Sequence, residues 1–151
     1  MLKTLGVVLV VGLAVTGLAT ASAQKEAYRL SAKLTAGAEV PKPTNVPAAA
    51  TGTFTGTAVE LSNDKVRLTW KLTYSHLSGK AVAAHIHVGK KGQAGNVLVP
   101  LCPPCKSVMT GKAVTTHAVL KKIEAGLTYV NVHTPKNAAG EIRGQVKASG
   151  S

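Results

Sequence analysis

The stretch VRLTWKLTYS, residues 66–75, alternates apolar and polar side chains without a slip. Val66, Leu68, Trp70, Leu72 and Tyr74 fall on one side, and Arg67, Thr69, Lys71, Thr73 and Ser75 on the other. Only an extended strand sends alternate residues to opposite faces, and one apolar face must then be buried against another layer. The same period recurs in YRLSAKL, AVAAHIHVG, LTYVNVHT and EIRGQVKA, while helical periodicity is weak. TGTFTGTAVELS reads as a further strand rich in threonine and small residues. GAEVPKPTNVPAAATG, with three prolines, reads as a loop or irregular edge, and NDK and SGK as turns. The region from KKGQAGN to MTGK reads as loop-rich, broken by the apolar VLVPL. AVTTHAVLKKIEAG reads as a strand entering a short helical turn that ends on Gly126. Seven or eight strands at regular spacing predict an all-β fold, an antiparallel Greek-key β-sandwich.

The 151 residues fit one domain behind a leader. MLKTLGVVLVVGLAVTGLATASAQ places Lys3 before an apolar run from Leu5 to Ala19 and closes on an Ala-x-Ala signal. Residues 1–23 are therefore expected to be a cleaved signal peptide and 24–151 the domain. The protein is expected to be exported, periplasmic or secreted, with no membrane span after cleavage. Setting Lys3 aside, 17 of the 18 Lys and Arg remain against 6 Asp and Glu. The lysines are scattered and the aromatic residues few, which argues against nucleic acid. As a partner, an extracytoplasmic protein or an acidic polymer suits this charge better than DNA, while the favoured reading is charge that serves solubility.

Histidines are placed selectively. In AVAAHIHVG, Val82, Ala84, Ile86 and Val88 are expected on the apolar face, and His85 and His87 on the other with Ala81 and Ala83. In LTYVNVHT, Val130 and Val132 point inward, and Tyr129, Asn131 and His133 outward. Three imidazoles thus share polar faces of two strands, each towards the strand's C-terminal end. Neutral imidazole suits copper or zinc, which makes His85, His87 and His133 a candidate metal site. The alternative is three separately solvated surface groups. His117 is a candidate fourth ligand, whereas His76 lies beside a turn and is expected to be uninvolved. In EIRGQV, Ile142 and Val146 are inward, leaving Glu141, Arg143 and Gln145 outward. Glu141 and Arg143 are read as a surface pair, or else as an orienting carboxylate behind an imidazole and an anion-attracting cation.

Cys102 and Cys105, in LCPPC, are the chain's two cysteines. In an oxidising compartment a local disulfide is expected, ahead of soft-metal ligation and of thiol redox chemistry. No Ser-His-Asp or Cys-His order, paired carboxylates or glycine-rich phosphate loop points to catalysis.

GAEVP, AHIHVGKKGQAGNVLVPL, YVNVHT and GEIRGQV, in this order, resemble the chordin-type domain called CHRD, from Leu30 to Val146. That resemblance implies a secreted or periplasmic β-sandwich module and leaves activity open. HIHVG and VNVHT are also similar, more faintly, to copper-site strands of copper–zinc superoxide dismutases. This second likeness implies copper ligands at His85, His87 and His133 and an anion-guiding Arg143. That family's bridging histidine and zinc-site aspartate have no identifiable counterpart here. The expected function is exported copper binding for storage, delivery or protection, with zinc as the other ion. The alternatives are a non-catalytic extracellular interaction module and a dismutase-like redox enzyme.

Overall fold

The computed structural model describes residues 26–150; the leader expected over 1–23 lies outside the described residues. The elements run β1 (Ala27–Thr35), β2 (Thr51–Glu60), β3 (Lys65–Ser75), β4 (Ala83–Val88), β5 (Val97–Cys102), β6 (Val108–Thr116), α1 (His117–Glu124), β7 (Thr128–His133), β8 (Ile142–Gln145) and β9 (Lys147–Gly150). All strand pairs are antiparallel, in the order β5-β4-β7-β8-β1-β2-β3-β6, with β9 also on β1. β5 and β6 end the ladder and approach each other without pairing, so the sheet curls into a nearly closed barrel. Because β6 pairs with β3 and β7 with β4, the chain passes between the two halves at β3–β4, β5–β6 and β6–β7, and β9 returns to β1, a path with Greek-key crossovers. No described helix is long and apolar enough to cross a membrane.

Alternation determines what is buried. Leu68, Trp70 and Leu72 from β3, Ile86 from β4, Val130 and Val132 from β7 and Ile142 from β8 are buried, as expected. Phe54 of β2 joins them, and α1 closes the core with Leu120 and Ile123. Gly126, at φ +68°, ends the helix in the left-handed conformation that glycine adopts without a Cβ penalty. The face before β4 differs from expectation. Ala81 is buried and Val82 is 47% exposed, because the strand begins only at Ala83 and the two residues precede its pleat.

The last strands join the halves. β8 pairs β7 from Ile142 to Gln145, while Arg143 also meets Thr35 of β1. β9 continues along β1 in the same register, from Ser31↔Lys147 to Tyr28↔Gly150. Between these pairings Gly144 lies so close to β1 that a Cβ there would sit 2.2 Å from the carbonyl oxygen of Lys33. A side chain at 144 would therefore push the halves apart where they meet.

Candidate metal centre

β4 and β7 are neighbours, with Ala83 opposite His133, His85 opposite Asn131 and His87 opposite Tyr129. One ring nitrogen from each of His85, His87 and His133 lies within 4.8 Å of the others. The His85 ring meets His87 and His133 edge-on, with centroids 5.3 and 5.0 Å away.

Two rings have their tautomers fixed by backbone. His87 Nδ1 lies 2.8 Å from the carbonyl oxygen of Gly95, and His133 Nδ1 lies 3.0 Å from that of Ala138. A carbonyl only accepts, so both Nδ1 atoms carry hydrogen and both Nε2 atoms keep a lone pair. His133 Nε2 faces His85 Nδ1 at 3.1 Å. His87 Nε2 is buried with no hydrogen-bond partner. Burial lowers the pKa of all three, and for His85, with added repulsion from His133 and His87, to about 4. The trio is neutral at neutral pH, as ligation requires.

The face carrying the trio is roofed rather than open. Every residue of β7 is buried, and His87 and His133 are each 8% exposed; His85 is half-buried. The expected surface cluster is thus corrected to an enclosed one with His85 as its most open member. The loop 89–96 forms one portion of the roof. Arg143 Nη2 donates to the carbonyls of Lys90 and Gln93, Gln145 Nε2 to that of Gly89, and Gly95 N–H to the Tyr129 hydroxyl. The Arg143 guanidinium lies 3.4 Å from the Tyr129 ring centroid. Tyr129 stacks on His87 at 5.0 Å, with the planes 8° apart. A cation, a phenol and an imidazole therefore form one column.

Glu141 and Arg143 are both buried and do not form the surface pair expected of them. The Glu141 carboxylate accepts from Ser78 N–H, Ser78 Oγ, Thr134 Oγ1 and Asn137 Nδ2, and no imidazole is among its partners. Burial alone would raise its pKa, but these hydrogen bonds outweigh it and hold the carboxyl low. They tie the 134–140 loop, whose Ala138 carbonyl orients His133. His117 opens α1 and contacts Glu60 at 3.3 Å, outside the imidazole group. Cys102 and Cys105 form a disulfide. Cys102 pairs with Ala84, on the core side of β4, so its sulfur lies away from the face bearing His85.

Sequence reasoning missed Glu39 and Asn131. Glu39 is fully buried in the proline-rich connection, its pKa raised by burial, with one carboxylate oxygen unpartnered. Asn131 lies beside both Glu39 and His87. GAEVP carried a signal only through the CHRD resemblance.

The donor set fits a cation. It comprises three neutral imidazoles, two with fixed tautomers and one with an orphaned buried lone pair. The family model of the CHRD domain matches residues 30–146. No curated protein and no solved structure matches the chain.

Proposed function

The chain belongs to the CHRD-domain family, and from that premise we propose that it is an exported metal-binding member holding copper through His85, His87 and His133. A CHRD domain suggests an extracellular module, and the leader-like residues 1–23 agree with export. The observation that carries the reading is His87 Nε2. It is buried with the Asn131 side chain beside it but no donor in hydrogen-bond geometry, and it keeps a lone pair because Gly95 engages the other ring nitrogen. A buried acceptor without a donor is costly unless something supplies the missing interaction. A divalent ion supplies it, and imidazole donors rank copper above zinc.

Three protein nitrogens leave coordination positions open for water or for a partner's ligand. His85, the least buried of the three, is the side from which an ion enters or leaves. Storage, delivery and protection all need that exchange and no further catalytic group.

The test is metal analysis of protein recovered from its own exported location, followed by titration of metal-free protein with Cu²⁺ and Zn²⁺. One equivalent of copper, bound more tightly than zinc, is expected. Protein that takes up neither ion stoichiometrically would overturn the proposal and leave the interaction-module reading.

A further inference from the structure

A second concavity lies on the β1–β8–β9 side of the molecule, with a volume of about 640 Å³. Lys33 of β1, Lys91 of the roof loop, Arg143 of β8 and Lys147 of β9 line it, together with the hydroxyl-bearing Ser31 and Thr53. No acidic residue is in its lining. The ion pairs among the described residues, His117–Glu60 and Lys121–Glu124, involve none of these four cations. Glu39 acts on Arg143 through its charge, but lies outside ion-pair contact and outside the lining. Arg143 is 1% exposed, and its Nη1 has no hydrogen-bond partner. Three lysines outside the ion pairs of the described residues therefore line one hollow, with buried Arg143 in its wall.

We propose that this hollow is a binding site for a multivalent oxyanion. Concave, low-dielectric walls of one sign focus the field and concentrate counter-ions. The volume lies in the range of small-molecule sites and exceeds what a single phosphate or sulfate fills. An anion with several charged groups matches both the room and the three exposed lysines, with the Arg143 charge behind them. Ammonium groups serve as point charges for such oxygens, and Ser31 and Thr53 can donate from the β1–β2 side. The same chemistry is offered by a free oligophosphate or by a segment of an anionic polymer. No imidazole is in the lining, and the proposal does not depend on the metal reading.

Inorganic triphosphate is the probe, titrated calorimetrically into the exported protein at moderate salt. One binding event per chain is expected. The double variant Lys33→Ala/Lys91→Ala, at exposed positions, is expected to weaken it about tenfold or more. Lys65→Ala/Lys112→Ala removes the same charge outside the hollow and is expected to change it less than about twofold. Equal losses in the two variants would mean diffuse charge attraction and overturn the site, as would absence of saturable binding. His85→Ala must bind triphosphate like the parent; loss there would place the anion on a metal and equally overturn the proposal. Long-chain polyphosphate separates the sources. Per-site affinity equal to that of triphosphate indicates a free anion, and much tighter binding a polymer segment.

Discussion

His85 Nδ1 and His133 Nε2 face each other at 3.1 Å across neighbouring strands. The Ala138 carbonyl requires His133 Nε2 to accept, so in metal-free protein the hydrogen between the rings belongs to His85. Metal capture through these two atoms therefore requires His85 to give up that hydrogen and carry one on Nε2 instead.

That difference predicts how the three ligands respond to substitution. His87→Ala and His133→Ala each remove a pre-oriented lone pair and are expected to lower Cu²⁺ affinity by about 100-fold or more. His85→Ala is expected to do the same while accelerating metal exchange, because it opens the least buried side of the site. His76→Ala and His117→Ala, outside the group, are expected to leave affinity unchanged. Competition titration against a chelator of known affinity reads each case.

Acid sensitivity follows from the same burial. An unfolded histidine titrates near 6.5, whereas His85 titrates at about 4 in the fold. Between these values the unfolded chain binds more protons, so the stability of metal-free protein falls as pH drops from 6.5 towards 4. Discounted for the half-exposure of His85, the loss is about 1–2 kcal/mol. His87 and His133 act in the same direction. Glu141, whose carboxyl is held low, adds a stabilisation that disappears as pH falls through its depressed pKa. Urea denaturation at stepped pH measures the slope; a midpoint that stays level from pH 7 to pH 4 contradicts the neutral buried trio. Proton competition for copper at His85 is correspondingly expected nearer pH 4 than 6.5.

Arg143→Leu is expected to destabilise the fold by about 2–4 kcal/mol, because it removes the hydrogen bonds to the Lys90 and Gln93 carbonyls and the cation over Tyr129. The loosening is expected to reach His87 through Gly95. Hydrogen exchange at the Gly95 amide, which Tyr129 holds, is the local measurement. Arg143→Lys keeps the charge but not the planar fork, and is expected to restore only some of that protection.

Gly144→Ala places a Cβ against the Lys33 carbonyl where β8 meets β1. A cost of about 2–3 kcal/mol is expected from the forced separation, read as a lower thermal midpoint. Gly37→Ala, where a Cβ meets nothing within 4 Å, is the control and is expected to be near neutral.

The strands were legible because alternation reports directly on the pleat. Trp70, Ile86, Val130 and Ile142 are all in the core for that reason. The pairing of β4 with β7 was less accessible, since no local pattern states which strands become neighbours. Matched polarity of His85, His87 and His133 made their convergence conceivable without requiring it. The enclosure of the site was not legible. A polar face in a period-two strand shows which side the residue is on, not what lies over it. The loops 89–96 and 134–140 have no periodicity, and their hold on the sheet depends on buried Arg143 and Glu141, whose type suggested surface. Glu39 was hidden for a similar reason, as a carboxylate in a proline-rich segment.

A ladder that stops one pairing short of closure leaves two strand edges, on β5 and β6. Such edges invite strands from other copies and seed aggregation, a hazard heightened here by exposed Val97, Val108 and Val114. The short 103–107 connection and the Cys102–Cys105 disulfide keep the ends of the two strands near each other. Pro100 denies a backbone donor on one edge, and the Lys112 ammonium adds charge on the other. The incomplete seam thus makes self-association the failure to expect when β5 and β6 are spread apart, so insertions in 103–107 are expected to show as oligomers before they cost folding.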